Sequence, residues 1–250
     1  MIFRWSFWGT HKGKHEEMLR YSILSFKKYF KEGHLFIVYT DNSDEVSDKI
    51  KEIAEVRDYP SSQDTLPYCI ESKATWGKWC PSARLDVTQD ECSVDSDVFL
   101  LKRPEEVDFF LFNPKLKFAI LDEFYGQPFQ HGAMHKKATE KAPYVNAGFF
   151  IQKAGHDISV DLLEEFHWWK EHIPSSEQTH HDEQGALTIA LSKYFMDGEL
   201  CIFPKNKYML IGPNENTNIQ TLDNVVLFHA VYSDHPAFYK FKNTLDQVLF

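Results

Sequence analysis

The chain has 250 residues and a formal net charge of −10, long enough to bury the core of one large α/β domain without covalent staples. The acidic balance and the lack of a Lys/Arg cluster exclude nonspecific binding to nucleic acid, which needs a basic face against the phosphates. No apolar run approaches the ~20 residues that span a bilayer.

Met1 to Trp8 alternates apolar and polar residues and predicts a first strand over Phe3 to Phe7. It is not a signal peptide, because no charged leader precedes a long apolar stretch with a cleavage site, and a cytoplasmic setting is expected. Leu19, Ile23, Phe26 and Phe30 recur at steps of three and four, the mark of one helix face. Leu35 to Thr40 is the next strand, closed by the turn-like Asp41-Asn42-Ser43, so the chain opens as strand, helix, strand, the unit of parallel sheets.

A charged helix is expected over Ser43 to Ala54, a polar loop through Tyr59-Pro60-Ser61-Ser62, and a helical segment over Ser82 to Thr88 with Pro81 in its first turn. Cys92-Ser93-Val94 then leads into Asp95-Ser96-Asp97-Val98-Phe99-Leu100, which sets acidic residues at a strand exit. Further strands are expected at Lys117 to Leu121, Gly148 to Gln152, Cys201 to Pro204 and Val225 to Phe228. Leu162, Leu163, Phe166, Trp169 and Ile173 form one helical stripe, and Ala186, Leu187, Ala190, Leu191 and Tyr194 another. No repeat, low-complexity tract or linker divides the chain. The four cysteines (Cys69, Cys80, Cys92, Cys201) are scattered with no C-x-x-C pair and read as buried thiols.

Alone, Asp95-Ser96-Asp97 carries little, since chance gives on the order of one Asp-x-Asp in a chain of this composition. Its setting carries more: Val94 before it and Val98-Phe99-Leu100-Leu101 after it press two carboxylates against apolar surroundings, where unpaired charge is costly. Either a cation neutralises them, or they form a solvated turn. An acidic protein binds a polyphosphate most readily through such a cation.

Five segments, in order, resemble the GT-A family of nucleotide-sugar glycosyltransferases: Arg84-x-Asp86, Val94-Asp95-Ser96-Asp97, Tyr144-Val145-Asn146-Ala147-Gly148-Phe149-Phe150-Ile151, His181-Asp182-Glu183-Gln184 at a helix start, and Leu227-Phe228-His229-Ala230 ending a late strand. The resemblance implies a single α/β domain over 1–250 with a Rossmann-like, mostly parallel sheet flanked by helices. Residues 1–101 would form its nucleotide-binding half and 102–250 its acceptor-binding half.

It also implies a metal, Mn²⁺ or Mg²⁺, held by Asp97, by Asp95 (a second ligand or the partner of the donor ribose) and by His229. The ion would stabilise the departing nucleoside diphosphate. Imidazole with carboxylates suits Mn²⁺ over Ca²⁺, and the alternative for His229 is a satisfied core histidine. Asn146 and Ala147 would meet the donor sugar, or mark a β-bulge with Gly148. Asp182 and Glu183 would face the sugar, or serve the helix dipole.

His181-Asp182-Glu183 with Lys193-Tyr194-Phe195 is similar to an element of the retaining galactosyl and N-acetylgalactosaminyl transferases of the blood-group type. There Glu183 would be the nucleophile or front-face stabiliser, whereas in an inverting enzyme Asp182 would be the base. Trp8, Gly9, Thr10, Tyr39, Thr40 and Asp41 stand at strand carboxyl ends, where open α/β sheets bind ligands, and would take the base and ribose of a UDP-sugar. Arg84 and Asp86 would hold the nucleotide or form a local ion pair, and Lys78 is a further phosphate contact. Phe124, Tyr125, Trp168 and Trp169 line an acceptor groove or pack in the core. The expected partners are a nucleotide sugar and a carbohydrate acceptor. The rival functions are a nucleotidyltransferase acting on sugar phosphates and a noncatalytic carbohydrate-binding protein.

Overall fold

Alternation along the first strand sends Phe3, Trp5 and Phe7 to one face of a sheet, where Leu19, Ile23, Phe26 and Phe30 close over them. The computed structural model describes residues 1–9, 12–60, 75–79, 81, 83–123, 128–212, 219–231 and 234–250. The strand is β1 (Ile2–Phe7), the covering helix α1 (Lys12–Tyr29), and β2 (Leu35–Thr40) pairs parallel to β1 in the register Ile2 to Leu35. A short α2 (Asp48–Lys51) and β3 (Glu55–Asp58) follow. The charged stretch from Ser43 is thus a 3-10 turn and one helical turn, not a single helix.

No helix forms around Arg84. Asp86 instead accepts from the Thr88 amide (2.9 Å), the Thr88 hydroxyl (2.6 Å) and the Gln89 side chain (2.8 Å), a turn that competes with helix formation. β4 (Glu91–Val94) joins β1 in parallel, and β5 (Val98–Leu100) and α3 (Glu105–Phe112) come next. β6 (Phe118–Asp122), β7 (Val145–Gln152), α4 (Ser159–His172), α5 (Asp182–Met196) and β8 (Leu200–Phe203) complete the main layer. The chain ends with β9 (Tyr208–Leu210), β10 (Leu227–His229) and α6 (Pro236–Leu249).

The large sheet has the order β3-β2-β1-β4-β7-β6-β8, and only β7 runs antiparallel to its neighbours. β6 and β7 are buried on both faces. Ala119, Leu121, Phe149 and Ile151 point to the α1 side, while Phe118, Ile120, Ala147 and Phe150 meet α4 and α5, which explains why these strands read as unbroken apolar runs. A second sheet, β5-β10-β9, pairs β10 antiparallel with β5, placing His229 opposite Val98. The mostly parallel α/β architecture expected from the sequence is therefore the one observed. No described helix is long and apolar enough to cross a membrane. Cys92 is a buried thiol and Cys201 a half-buried one, both unbridged; Cys69 and Cys80 lie outside the described residues.

Candidate metal and donor site

Asp95 leaves the end of β4 and Asp97 enters β5, so the acidic tripeptide is the turn by which the chain passes from the large sheet to the small one. The Asp95 amide donates to the Gly148 carbonyl (2.8 Å), and the Ala230 amide donates to the Asp97 carbonyl (2.9 Å), tying the turn to both sheets. That second ladder brings His229 to the aspartates. Its Nε2 lies 3.1 Å from Asp97 Oδ1 and 3.8 Å from Asp95 Oδ2, and one ligand atom from each of the three residues lies within 4.8 Å of the others.

The donor set fits a divalent ion. Two carboxylates and an imidazole make a mixed oxygen and nitrogen set of the kind that divalent metal ions accept. The nitrogen–oxygen spacings are also below the ~4 Å that separates opposite ligands on an ion with bonds of ~2.0–2.2 Å.

Asp97 is buried and Asp95 half-buried. Burial would raise the Asp97 carboxyl, but His229 on one oxygen and His235 on the other, its Nδ1 3.0 Å from Oδ2, hold it well below the usual carboxylate range. Burial would likewise lower both imidazoles, yet Asp97 outweighs it and both are raised. His235 is absent from the sequence-based set. It caps α6 in a left-handed conformation (φ 44°, ψ 50°), rare for a side chain with a Cβ and unfavourable before proline, and its Nδ1 also lies 2.9 Å from the Ala230 carbonyl oxygen. The readable signal was Pro236, a first-turn proline ahead of Phe238, Phe241 and Leu245.

Lys78 is buried in a 3-10 turn, Trp76–Trp79, with its ammonium 2.7 and 2.8 Å from the two oxygens of Asp95. Desolvation would lower it, but Asp95, Glu183 and Asp97 together raise it. Glu183 stands close by on α5, accepting from the Trp79 indole (2.8 Å) and the Thr75 hydroxyl (3.0 Å); its burial raises its carboxyl despite Lys78.

Asn146 meets His229 through Oδ1, 2.9 Å from Nδ1, and Ala147 donates its amide to Gln184 (3.2 Å). The β6–β7 register shifts between Ile120 and Leu121, opposite this Asn-Ala-Gly segment, so the bulge reading of the sequence holds as well. Gly148 is needed because a Cβ there would run into the His229 ring. Asp95, Asp97, His229, Asn146, Glu183 and Lys78 are therefore linked in one cluster at the carboxyl end of β4.

Other expected site residues stand elsewhere. Asp182 is fully buried and satisfied from within: the Ala133 amide (2.7 Å) and Thr179 hydroxyl (2.7 Å) donate to Oδ1, and the Trp169 indole (2.8 Å) and Thr179 amide (3.1 Å) to Oδ2. With four donors in place, it has no lone pair left for a sugar or a base's proton. Arg84 and Asp86, expected to hold the nucleotide or pair with each other, spend their side chains apart: Asp86 on Thr88 and Gln89, Arg84 on backbone carbonyls. Its guanidinium donates to the carbonyls of Lys153 (2.7 Å), His156 and Gln89, at the opposite end of β4 from Asp95.

Trp169 is core, and the half-buried Trp168 packs on His172. Phe124, Tyr125 and Thr10 lie outside the described residues. Tyr39 and Thr40 are buried in β2. Asp41 accepts from the Gly9 amide (2.9 Å), joining the exits of β1 and β2, and the half-buried Trp8 ring lies against Gly77, next to Lys78.

No family profile matches the sequence, and no curated protein matches it. Solved structures do. The galactosyltransferase LgtC in complex with donor and acceptor sugar analogs is 12% identical with a TM-score of 0.61, over 100% of this chain and 97% of that one. Mouse xyloside xylosyltransferase 1, in its apo form, is 13% identical with a TM-score of 0.59, over 94% of this chain and 99% of that one. The bifunctional glycosyltransferase WbbM is 8% identical with a TM-score of 0.61, over 99% of this chain and 50% of that one. At these identities the likeness establishes a shared fold, the GT-A fold of glycosyltransferases.

Proposed function

We propose that the chain is a metal-dependent glycosyltransferase that moves a sugar from a nucleoside diphosphate sugar, first of all a UDP-sugar, to a carbohydrate hydroxyl. The observation that carries this is the convergence of Asp95, Asp97 and His229 at the carboxyl end of β4, in a fold shared with sugar transferases. Asp97 and His229 would hold the ion, Mn²⁺ ahead of Mg²⁺ because of the imidazole, and Asp95 would be shared between the ion and Lys78. A bound divalent ion supplies Lewis-acid neutralisation of the departing diphosphate.

Lys78, its ammonium already fixed on Asp95 in a buried setting, would add positive charge beside the same phosphates, where it acts more strongly than in water. Glu183, fixed by Trp79 and Thr75, is the carboxyl assigned to the sugar. Gly9, Asp41 and Trp8 form the rim assigned to the nucleoside. Residues 1–101 in this reading hold nucleotide and ion, with His229 crossing over from the half that takes the acceptor.

A panel of nucleotide sugars with and without Mn²⁺, read by thermal shift and donor hydrolysis, tests the proposal. A UDP-sugar is expected to raise the Tm only when the ion is present, and Asp97→Ala to abolish ion-dependent hydrolysis while leaving a folded chain. Stabilisation by nucleoside triphosphates and release of pyrophosphate would favour a nucleotidyltransferase instead. Sugar binding with no ion-dependent turnover would leave a lectin-like role.

A further inference from the structure

We infer that Asn146 is a positioning residue for His229: its amide oxygen commits a proton to Nδ1, so that Nε2 is the nitrogen available to an ion between Asp95 and Asp97. This rests on the proposed metal site. It assigns the Asn-Ala-Gly segment to the imidazole, where the sequence assigned it to the sugar.

The orientation of the Asn146 amide is fixed from two sides. The Gly148 amide donates to Oδ1 at 2.9 Å, and a backbone N–H can only donate. Nδ2 faces the Glu123 carboxylate at 3.3 Å, and a carboxylate oxygen can only accept. Turning the amide over would set two donors against each other at Gly148 and two acceptors at Glu123, inside a buried cluster where neither could turn to water. Glu123 is held in turn by the Gln184 amide at 3.3 Å.

The atom 2.9 Å from His229 Nδ1 is thus an acceptor, and Nδ1 must donate to it. A neutral imidazole has one N–H. Spent at Nδ1, it leaves Nε2 as the nitrogen that can give up its proton to an ion; without one, Nε2 faces Asp97 Oδ1 at 3.1 Å and Asp95 Oδ2 at 3.8 Å, acceptors that favour a proton there. The other tautomer would oppose lone pairs at Asn146 and close Nε2 to any ion. Gly148 completes the seat, since a side chain there would displace the ring. A partner on the far nitrogen that fixes the tautomer is a general feature of histidine ligands, and its loss costs ~10–100-fold in metal affinity.

Manganese binding by the full-length, donor-free chain tests this, read from the EPR signal of free Mn²⁺ in wild type, Asn146→Leu, Asn146→Asp and Asp97→Ala. Asn146→Leu keeps the volume but lacks an acceptor, and is expected to weaken binding ~10–100-fold. Asn146→Asp, made together with Glu123→Gln so that a donor can still face the new carboxylate, keeps the acceptor and is expected to stay within a few-fold of wild type. Independently of any variant, the ¹⁵N couplings of His229 in the ion-free wild type are expected to show a proton on Nδ1, with or without a second on Nε2.

Wild-type affinity in Asn146→Leu, equal losses in the leucine and aspartate variants, or a His229 Nδ1 that carries no proton would each overturn the inference. If Asp97→Ala binds Mn²⁺ as wild type does, the metal site itself fails. If Asp97→Ala loses the ion while Asn146→Leu keeps it, only the role of Asn146 fails. An Asn146→Leu chain that does not fold leaves the tautomer measurement to decide.

Discussion

Asp182 and Glu183 are neighbours in sequence with opposite fates. One step along a helix turns a side chain by about 100°, which sends Asp182 inward to Trp169 and Thr179 and Glu183 toward Trp79 and Lys78. Asp182→Ala would leave four donors without a partner, each worth ~1–3 kcal/mol when stranded in a buried place. A loss of at least ~3 kcal/mol is expected, or a fall in Tm of at least ~6 °C for a chain of this size, while Asp182→Asn loses less. Urea denaturation measures both. An alanine variant of wild-type stability but no activity would return Asp182 to the chemistry. The sequence contained both acids, but without the phase of α5 against its neighbours it could not say which one faces inward.

Among the elements, those with strong apolar periodicity were legible: β1, α1, β2, β4, β6, β7, α4, α5 and β8 fall within a few residues of their expected places. The failures differ in cause. Asp86 spends its carboxylate on the Thr88 amide two residues on, while Arg84 reaches the Lys153 carbonyl far along the chain, and a helix-like stretch becomes a turn. His229 was visible as the end of an apolar run, but its meeting with Asp97 depends on the β5–β10 pairing, a long-range contact that no local pattern encodes.

Gly185 gives a test at this scale. Alanine is the better helix former by ~1 kcal/mol, yet a Cβ there would come within 2.8 Å of both the His131 carbonyl carbon and Met134 Cβ, where the 128–136 segment crosses α5. Backbone cannot yield as a flexible side-chain tip can. Gly185→Ala is therefore expected to destabilise by ~1–3 kcal/mol, and a gain in stability on denaturation would mean that the crossing is looser than the geometry implies.

For the molecule as a whole, the Asp97 cluster links stability to pH. The raised imidazoles of His229 and His235 contribute stability that is complete below the unfolded histidine value of ~6.5 and is lost as pH rises through their folded values. The depressed Asp97 contributes stability present above ~3.9 and lost as pH falls below it. Together they favour the ion-free fold most between about pH 4 and 6.5. An ion must displace the Nε2 proton of His229, so the rise in Tm on adding Mn²⁺ is expected to be larger at about pH 8 than at about pH 6. A rise independent of pH would remove His229 from the ligands.

The β5–β10 clasp joins Asp97 to a strand more than a hundred residues later. During translation the two aspartates leave the ribosome long before the histidine that completes their set exists. A nascent chain can therefore present no finished ion site until β10 has emerged and paired with β5, and on the reading proposed above catalysis must wait for that pairing.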